Sequence, residues 1–170
     1  MRRFSVKHSV FDIDEEVVLA IVREKYVGLI GFCLMPNHFH MLVVEKNEGG
    51  IARYMQRVLN GYTKYYNAKY GKSGHLFQGP YKTVHVGTNE QLLHLSSYIH
   101  RNPRELAEWR GKEHKYPWSS YGDYVGNNRW GDLLEQDILL EQFKNEKEGY
   151  EAFLTSSTAK LSFEELREIY

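Results

Sequence analysis

Apolar and polar positions along the chain predict a succession of seven strands and helices. Apolar runs over residues 28–35 and 38–44 are joined by Pro36 and Asn37, a turn-forming pair, which predicts an antiparallel hairpin. Apolar residues recur at helical spacing from Gly50 to Tyr70, and Gly71 ends that helix. The remaining predicted elements are a strand over residues 3–10, a helix over 14–25, a strand over 81–86 and a helix from Asn89 to Asn102.

This order, β-α-β-β-α-β-α, is that of the split βαβ or ferredoxin-like arrangement. The expected fold class is therefore α+β, an antiparallel sheet with helices on one face, plus a small C-terminal helical extension. The chain becomes acidic after Arg104, with a short helix predicted over residues 119–124 and two or three more helices after residues 126–131. We expect a first domain over residues 1–125 and a helical extension over 126–170, whose residues 161–166 begin a last helix.

Length and composition indicate a globular protein that contains one full core. The chain has 170 residues, of which 42% are hydrophobic. Its single cysteine, Cys33, lies in an apolar run, which excludes a disulfide framework and a cysteine zinc cluster and fits a reducing compartment. No apolar run is long enough to span a bilayer. We expect a cytoplasmic protein with no membrane partner.

Charge is balanced over the whole chain but unevenly distributed. Residues 49–104 contain eight Lys and Arg against one acidic residue, and no acidic residue lies between Glu48 and Glu90. This basic segment suits a phosphate backbone. Tyrosines lie among its cations and suit stacking on unpaired bases; they are Tyr54, Tyr62, Tyr65, Tyr66 and Tyr70. The alternative is an amphipathic helix whose tyrosines pack inward.

Two histidines separated by one residue are the first candidate for chemistry. Alternate side chains of a strand share a face, so His38 and His40 would project together while Phe39 enters the core. Two adjacent imidazoles form half of a divalent-metal site. The other interpretation is a pair of histidines on the wetter face of a strand, satisfied by hydrogen bonds.

A second candidate lies at the end of the helix that starts near Asn89. Tyr98 and Asn102 are four residues apart, so they share one helical face. A tyrosine hydroxyl is a poor nucleophile at neutral pH because its pKa is about 10, but a metal that polarises a phosphate reduces what the attacking oxygen must supply. The amide oxygen of Asn102 is a suitable ligand for such a metal.

Four ordered sequence blocks resemble the HUH single-tyrosine transposases, in particular the REP-associated tyrosine transposases. The blocks are LMPNHFH at residues 34–40, GHLFQG at 74–79, YIHRNP at 98–103 and YPWSSY at 116–121. The family's usual first strand, with a His-Val-x-x-Arg-Gly-like segment, is not recognisable in residues 1–12, so residues 3–10 must replace it. We also expect Trp118 and Tyr121 to anchor the appended helix in the core.

The resemblance implies a metal-dependent endonuclease that acts on single-stranded DNA, often beside a hairpin, and rejoins strands through a 5′-phosphotyrosine. His38, His40 and Asn102 match the ligands of a divalent ion, Mg or Mn, and Tyr98 matches the nucleophile. The expected DNA contacts are Arg53, Arg57, Lys64, Lys82 and Arg101. The protein would act as a monomer or homodimer. The alternative function is a non-catalytic single-stranded DNA or RNA binding protein derived from a transposase.

Overall fold

The computed structural model describes residues 16 and 23–157 of the chain. The strand predicted over residues 3–10 and the helix predicted to begin at residue 161 lie outside the described residues. Most of the helix predicted over residues 14–25 does so too. Glu16 and Arg23 are helical, whereas Lys25 is not, so the helical backbone ends before the predicted residue.

The predicted hairpin is confirmed. Strand β1 covers Val27–Leu34 and strand β2 covers Phe39–Glu45, each within one residue of its predicted bounds, and the two strands form an antiparallel sheet. The turn is closed by a hydrogen bond of 2.8 Å from the Met35 amide to the His38 carbonyl. β1 is buried over most of its length, as expected from its apolar run.

Helix α1 covers Gly50–Tyr70, the predicted range. It ends at Gly71, whose φ of 62° lies in the left-handed region that glycine adopts without strain. At the other end, the Gly50 position approaches the Tyr26 carbonyl so closely that a Cβ would lie 2.5 Å from the oxygen. Glycine is therefore required where α1 begins.

The strand predicted over residues 81–86 is wrong, because these residues have no strand conformation. Tyr81, Val84 and Val86 are half-buried and the other three residues are exposed, but a strand also needs a hydrogen-bonded neighbour. Among the described residues, the edge of β1 away from β2 is bonded to other segments. The Ser120 amide donates to the Phe32 carbonyl (3.0 Å) and the Glu135 amide to the Leu29 carbonyl (2.7 Å).

Helix α2 covers Asn89–Arg101, close to its predicted range. Thr88 rather than Asn89 caps it, in a capping box with Gln91 in which each side chain bonds the other's backbone. Asn102 follows as the C-cap, and Pro103 belongs to the short 3₁₀ helix Asn102–Glu105. The proline thus ends the α-helix as its sequence position predicts.

The remaining helical segments of the described chain are short. They are α3 (Tyr121–Val125), α4 (Asp137–Leu140) and α5 (Lys147–Ser156), with 3₁₀ helices at Ala107–Trp109, Glu113–Lys115, Gly131–Leu133 and Glu141–Phe143. The fold is α+β, as predicted. None of the helices in residues 16 and 23–157 combines the length and apolarity needed to cross a membrane.

The described residues divide into two compact units. The first unit contains residues 16, 23–27 and 45–83, and the second contains residues 28–44 and 84–157. The core of the second unit joins Ile30 of β1 and Ile99 of α2 to Leu139 and Leu154 of the C-terminal helices. Those helices therefore share a core with the hairpin, and the domain boundary at residue 125 stays a prediction.

The two aromatic residues expected to anchor the helix after residue 118 behave differently. Tyr121 is buried, as predicted, whereas the prediction for Trp118 is wrong because its side chain is 61% exposed. The backbone of Trp118 is nevertheless fixed, since its carbonyl accepts a hydrogen bond of 2.8 Å from the Leu34 amide. Pairing with β1 fixes the backbone at this position without burying the indole.

Candidate functional site

The two histidines of the hairpin lie side by side in the second unit. His38 precedes β2 and is exposed, whereas His40 lies within β2 and is half-buried. Their ring centroids are 5.0 Å apart. His38 Nδ1 lies 2.7 Å from the side-chain oxygen of Asn37, an acceptor, so Nδ1 donates this hydrogen bond and Nε2 takes no part in it. A hydrogen bond of this kind is typical of a histidine that binds a metal through its other nitrogen.

His40 is neutral at physiological pH. Burial, which is the larger cause, and the charge of the neighbouring His38 together lower the pKa of His40 to about 4. The neutral imidazole is the form that binds a metal or accepts a hydrogen bond. Its Nε2 is buried and has no hydrogen-bond partner among the described residues.

Tyr98 approaches His40 from helix α2. The two ring centroids are 5.1 Å apart and the planes meet at 77°, an edge-to-face contact. Burial raises the pKa of Tyr98, the charge of Glu105 raises it further, and the Asn102 side chain opposes the rise. The phenol is therefore protonated at neutral pH, and a lone tyrosine in this environment would be a weak nucleophile.

Asn102 is buried, 3% exposed, where α2 ends. Its side-chain oxygen, like His40 Nε2, has no hydrogen-bond partner in the part of the chain that the structure describes. Leaving a buried polar atom unsatisfied costs about 1–3 kcal/mol. Both atoms are acceptors, so each suits a metal ion that takes its lone pair or a group that donates a hydrogen bond to it.

The donor set fits a divalent ion with mixed ligands. Imidazole nitrogens suit first-row transition metals, and an amide oxygen suits Mg or Mn. No group of three or more His, Cys, Asp or Glu residues within residues 16 and 23–157 is arranged to bind a metal. A metal at His38, His40 and Asn102 would therefore be bound by two imidazoles and one amide oxygen.

His94 is a residue that the sequence analysis missed. It lies one helical turn before Tyr98, and its Nε2 is buried without a hydrogen-bond partner among the described residues. The i, i+4 spacing of His94 and Tyr98 was the available signal. It places a further titratable group on the helical face that carries Tyr98.

His100 is a structural residue, and it lies on another helical face from Tyr98 as the spacing predicts. It is completely buried, with Nδ1 2.7 Å from the Tyr150 hydroxyl and Nε2 2.8 Å from Ser120 Oγ. Burial lowers the pKa of His100 to about 3, so the ring stays neutral. Because Ser120 Oγ also accepts from the Phe32 amide (2.8 Å), His100 ties α2 to β1.

Four of the five predicted DNA contacts lie in the first unit, and all four are exposed: Arg53, Arg57, Lys64 and Lys82. The guanidinium carbons of Arg57 and Arg53 lie 4.8 Å and 5.8 Å from the ring centroid of Tyr26, as cation–π contacts. The fifth, Arg101, lies in the second unit and is half-buried. Its guanidinium donates to the Ser157 carbonyl, so it also has a role inside the protein.

Comparison with known proteins identifies the family. Residues 1–102 match the family described as Transposase IS200 like, a match that ends at Asn102 and includes His38, His40 and Tyr98. A search of the curated proteins and a search of the solved structures each found no match. Because the match covers more than half of the 170 residues, the chain belongs to the IS200-like transposase family and is a DNA-binding, DNA-processing enzyme of transposase type.

Proposed function

We propose that this protein is a metal-dependent transposase that cleaves single-stranded DNA beside a hairpin and rejoins it through a 5′-phosphotyrosine. One observation carries the proposal. The His40 ring contacts both the His38 ring and the Tyr98 ring, at centroid distances of 5.0 and 5.1 Å. The Asn102 side chain also contacts Tyr98, and the side-chain oxygen of Asn102, like His40 Nε2, is buried without a hydrogen-bond partner among the described residues.

His38, His40 and Asn102 would hold the ion, Mg or Mn. When bound, a divalent ion supplies a positive charge that withdraws electrons from a non-bridging oxygen of the scissile phosphate. The residues themselves supply neutral lone pairs, since His40 is uncharged above a pKa of about 4. The two imidazoles favour Mn over Mg, because Mg prefers oxygen ligands.

Tyr98 carries the covalent chemistry. Its oxygen attacks the phosphorus in line, a Tyr98 O–P bond forms, and the P–O3′ bond breaks. The phenol loses its proton as the bond forms, because burial keeps the free phenol protonated, and the departing 3′ oxygen takes up a proton. The phosphotyrosine remains open to attack by the 3′-hydroxyl of another strand, which reverses the step and rejoins DNA.

The cations of the first unit would hold the strand through its phosphates. Arg53, Arg57, Lys64 and Lys82 are exposed in a segment without acidic residues, so they can neutralise phosphates at little cost in desolvation. Arg101 is half-buried, so we propose the same role for the accessible part of its side chain. These contacts position the strand and carry no sequence information directly.

A covalent-capture assay tests the proposal. The protein is incubated with end-labelled single-stranded DNA that carries a hairpin, in Mn or Mg, and separated under denaturing conditions. We expect a labelled adduct that Tyr98→Phe and chelation each abolish. Tyr54→Phe is the matched control, because Tyr54 is also half-buried with a pKa raised by burial but lies in the first unit.

Two results would contradict the proposed chemistry. One is an adduct that persists in the Tyr98→Phe protein, which would identify another nucleophile. The other is hairpin binding with no adduct in either metal, which would favour the non-catalytic binding protein. The variant His40→Ala separates metal binding from folding. We expect it to form no adduct and to bind Mn more weakly, while its melting temperature stays unchanged.

A further inference from the structure

Five aromatic side chains, three of them exposed and two half-buried, form a cluster in the first unit, here named the tyrosine platform. The platform consists of Tyr62, Tyr65, Tyr66 and Tyr70 of α1 and Phe77 of the following loop. Tyr62 is 51% exposed, Tyr65 41% and Tyr70 55%. In α1, all of which the structure describes, the buried residues are Gly50 and Met55, both in the N-terminal half. The alternative that these tyrosines pack inward as a core face is therefore wrong for Tyr62, Tyr65 and Tyr70, whereas Tyr66 is half-buried.

The platform is held together by ring contacts and by the loop after α1. Tyr62 lies 6.3 Å from Tyr65, 6.4 Å from Tyr66 and 6.2 Å from Phe77, measured between ring centroids. The loop is fixed to the helix by Asn67, whose side-chain amide donates to the Gly74 carbonyl at 3.0 Å. The rings are thus preorganised, so a ligand that binds them does not have to order them first.

Lysines border the platform. Lys69 Nζ lies 5.5 Å from the ring centroids of both Tyr65 and Tyr70, and Lys72 Nζ lies 5.7 Å from that of Tyr66. The Tyr65 hydroxyl, 3.1 Å from Lys69 Nζ, raises the pKa of Lys69, so this cation stays charged. Cations in contact with these rings match a polyanion that also offers flat aromatic groups.

We propose that the tyrosine platform stacks on unpaired bases of the single strand that the enzyme processes, while Lys69 and Lys72 contact its phosphates. The proposal rests on the proposed function for the identity of the strand as DNA. From Tyr62 to Tyr70 the helix rises about 12 Å. A stacked strand rises about 3.4 Å per nucleotide, so the platform has room for about three or four bases. Duplex DNA is excluded from this mode because its bases are already stacked.

Binding of single strands by chosen variants tests the platform. Affinity for fluorescent (dT)12 is measured by anisotropy with the full chain, in chelator so that cleavage cannot interfere. The double variant Tyr62→Leu, Tyr65→Leu removes two rings but keeps apolar side chains. Because one stacked base contributes about 5-fold or more to affinity, we expect this variant to bind about 25-fold more weakly or worse.

The matched control is the double variant Tyr62→Phe, Tyr65→Phe, which keeps both rings and should bind within about twofold of the natural protein. An oligonucleotide with 2-aminopurine in place of one base gives a direct readout, since stacking quenches its fluorescence. We expect quenching with the Phe variant and none with the Leu variant. Lys69→Gln should reduce the slope of log affinity against log salt by about 0.7, the value for one single-strand phosphate contact.

Three outcomes would overturn the platform. The first is that the Leu and Phe variants bind (dT)12 with equal affinity. The second is that both variants quench 2-aminopurine fluorescence equally. The third is that the only change in the Leu variant is a shift from dimer to monomer in sedimentation. The last result would make this surface an interface between two copies of the chain. Failure of the proposed chemistry is distinguishable, because it removes the Tyr98 adduct while ring-dependent (dT)12 binding persists.

Discussion

Ser120→Ala tests how firmly the nucleophile-bearing helix is held to the hairpin. Ser120 is completely buried, and its Oγ lies 2.8 Å from the Phe32 amide and 2.8 Å from His100 Nε2. Alanine removes the partner of both groups without creating a large cavity. Each buried polar group left unsatisfied costs about 1–3 kcal/mol, so we expect a loss of about 2–5 kcal/mol in the free energy of unfolding.

Urea denaturation followed by circular dichroism measures this loss. With a slope of about 2 kcal/mol per molar urea, the midpoint should fall by about 1–2.5 M at an unchanged slope. Tyr150→Phe removes the partner of His100 Nδ1 and the contact of the Tyr150 hydroxyl with the Ser96 side chain but leaves the Phe32 amide bonded, so it should cost less, about 1–2 kcal/mol. The control is Ser156→Ala, because the Ser156 hydroxyl is exposed and bonds within its own helix.

The reasoning would be refuted if Ser120→Ala and Ser156→Ala had the same stability within about 0.5 kcal/mol, the range of ordinary surface substitutions. A large loss for Tyr150→Phe with none for Ser120→Ala would also refute it. That result would show that the contact of α2 with α5, rather than with β1, holds His100 in place.

Three further predictions concern other parts of the chain. Burial raises the pKa of the Cys33 thiol to about 12, so the thiolate is absent at pH 8 and Ellman's reagent should react with the natural protein only at the rate of unfolding. Gly50→Ala should destabilise the protein by about 1–3 kcal/mol because the new Cβ would lie 2.5 Å from a backbone oxygen. Gly61→Ala, whose Cβ would have nothing within 4 Å, should stabilise it by about 0.5–1 kcal/mol. The melting temperatures of the two variants test both expectations. Arg129→Ala removes the bonds of 2.8 Å that Nε and Nη2 donate to the buried Asp123 carboxylate. We expect urea denaturation to show a loss of about 2–4 kcal/mol in the free energy of unfolding, less than for a fully buried pair because the Arg129 side chain is 45% exposed. An unchanged free energy of unfolding would show that the ion pair is not stabilising.

The residues of the candidate site were identifiable from spacing, but their arrangement required the fold. The strand period predicted that His38 and His40 project together, and their rings are indeed adjacent. The reason differs in part, because His38 lies in the turn before β2 rather than in the strand. Contact between His40 and Tyr98 joins residues 58 positions apart, which no local pattern predicts.

The failed predictions share one cause. Residues 81–86 were predicted to form a strand, yet strand formation depends on a hydrogen-bonded partner elsewhere in the chain. The tyrosines of α1 have helical spacing, which suits either a core face or an exposed surface. In both cases the local sequence determined which side chains share a face, and the neighbouring segments decided what that face meets.

The amino-acid sequence by itself determined the hairpin, the bounds of α1 and α2, the basic segment and the spacing of the candidate ligands and nucleophile. These features follow from side-chain periodicity, glycine and proline positions and capping, which act within a few residues. Only the tertiary structure decided that the edge of β1 bonds to residues near Ser120 and Glu135, that His100 is buried, and that His40 contacts Tyr98. Those contacts depend on packing between segments far apart in the chain, where burial and hydrogen-bond satisfaction outweigh local preference.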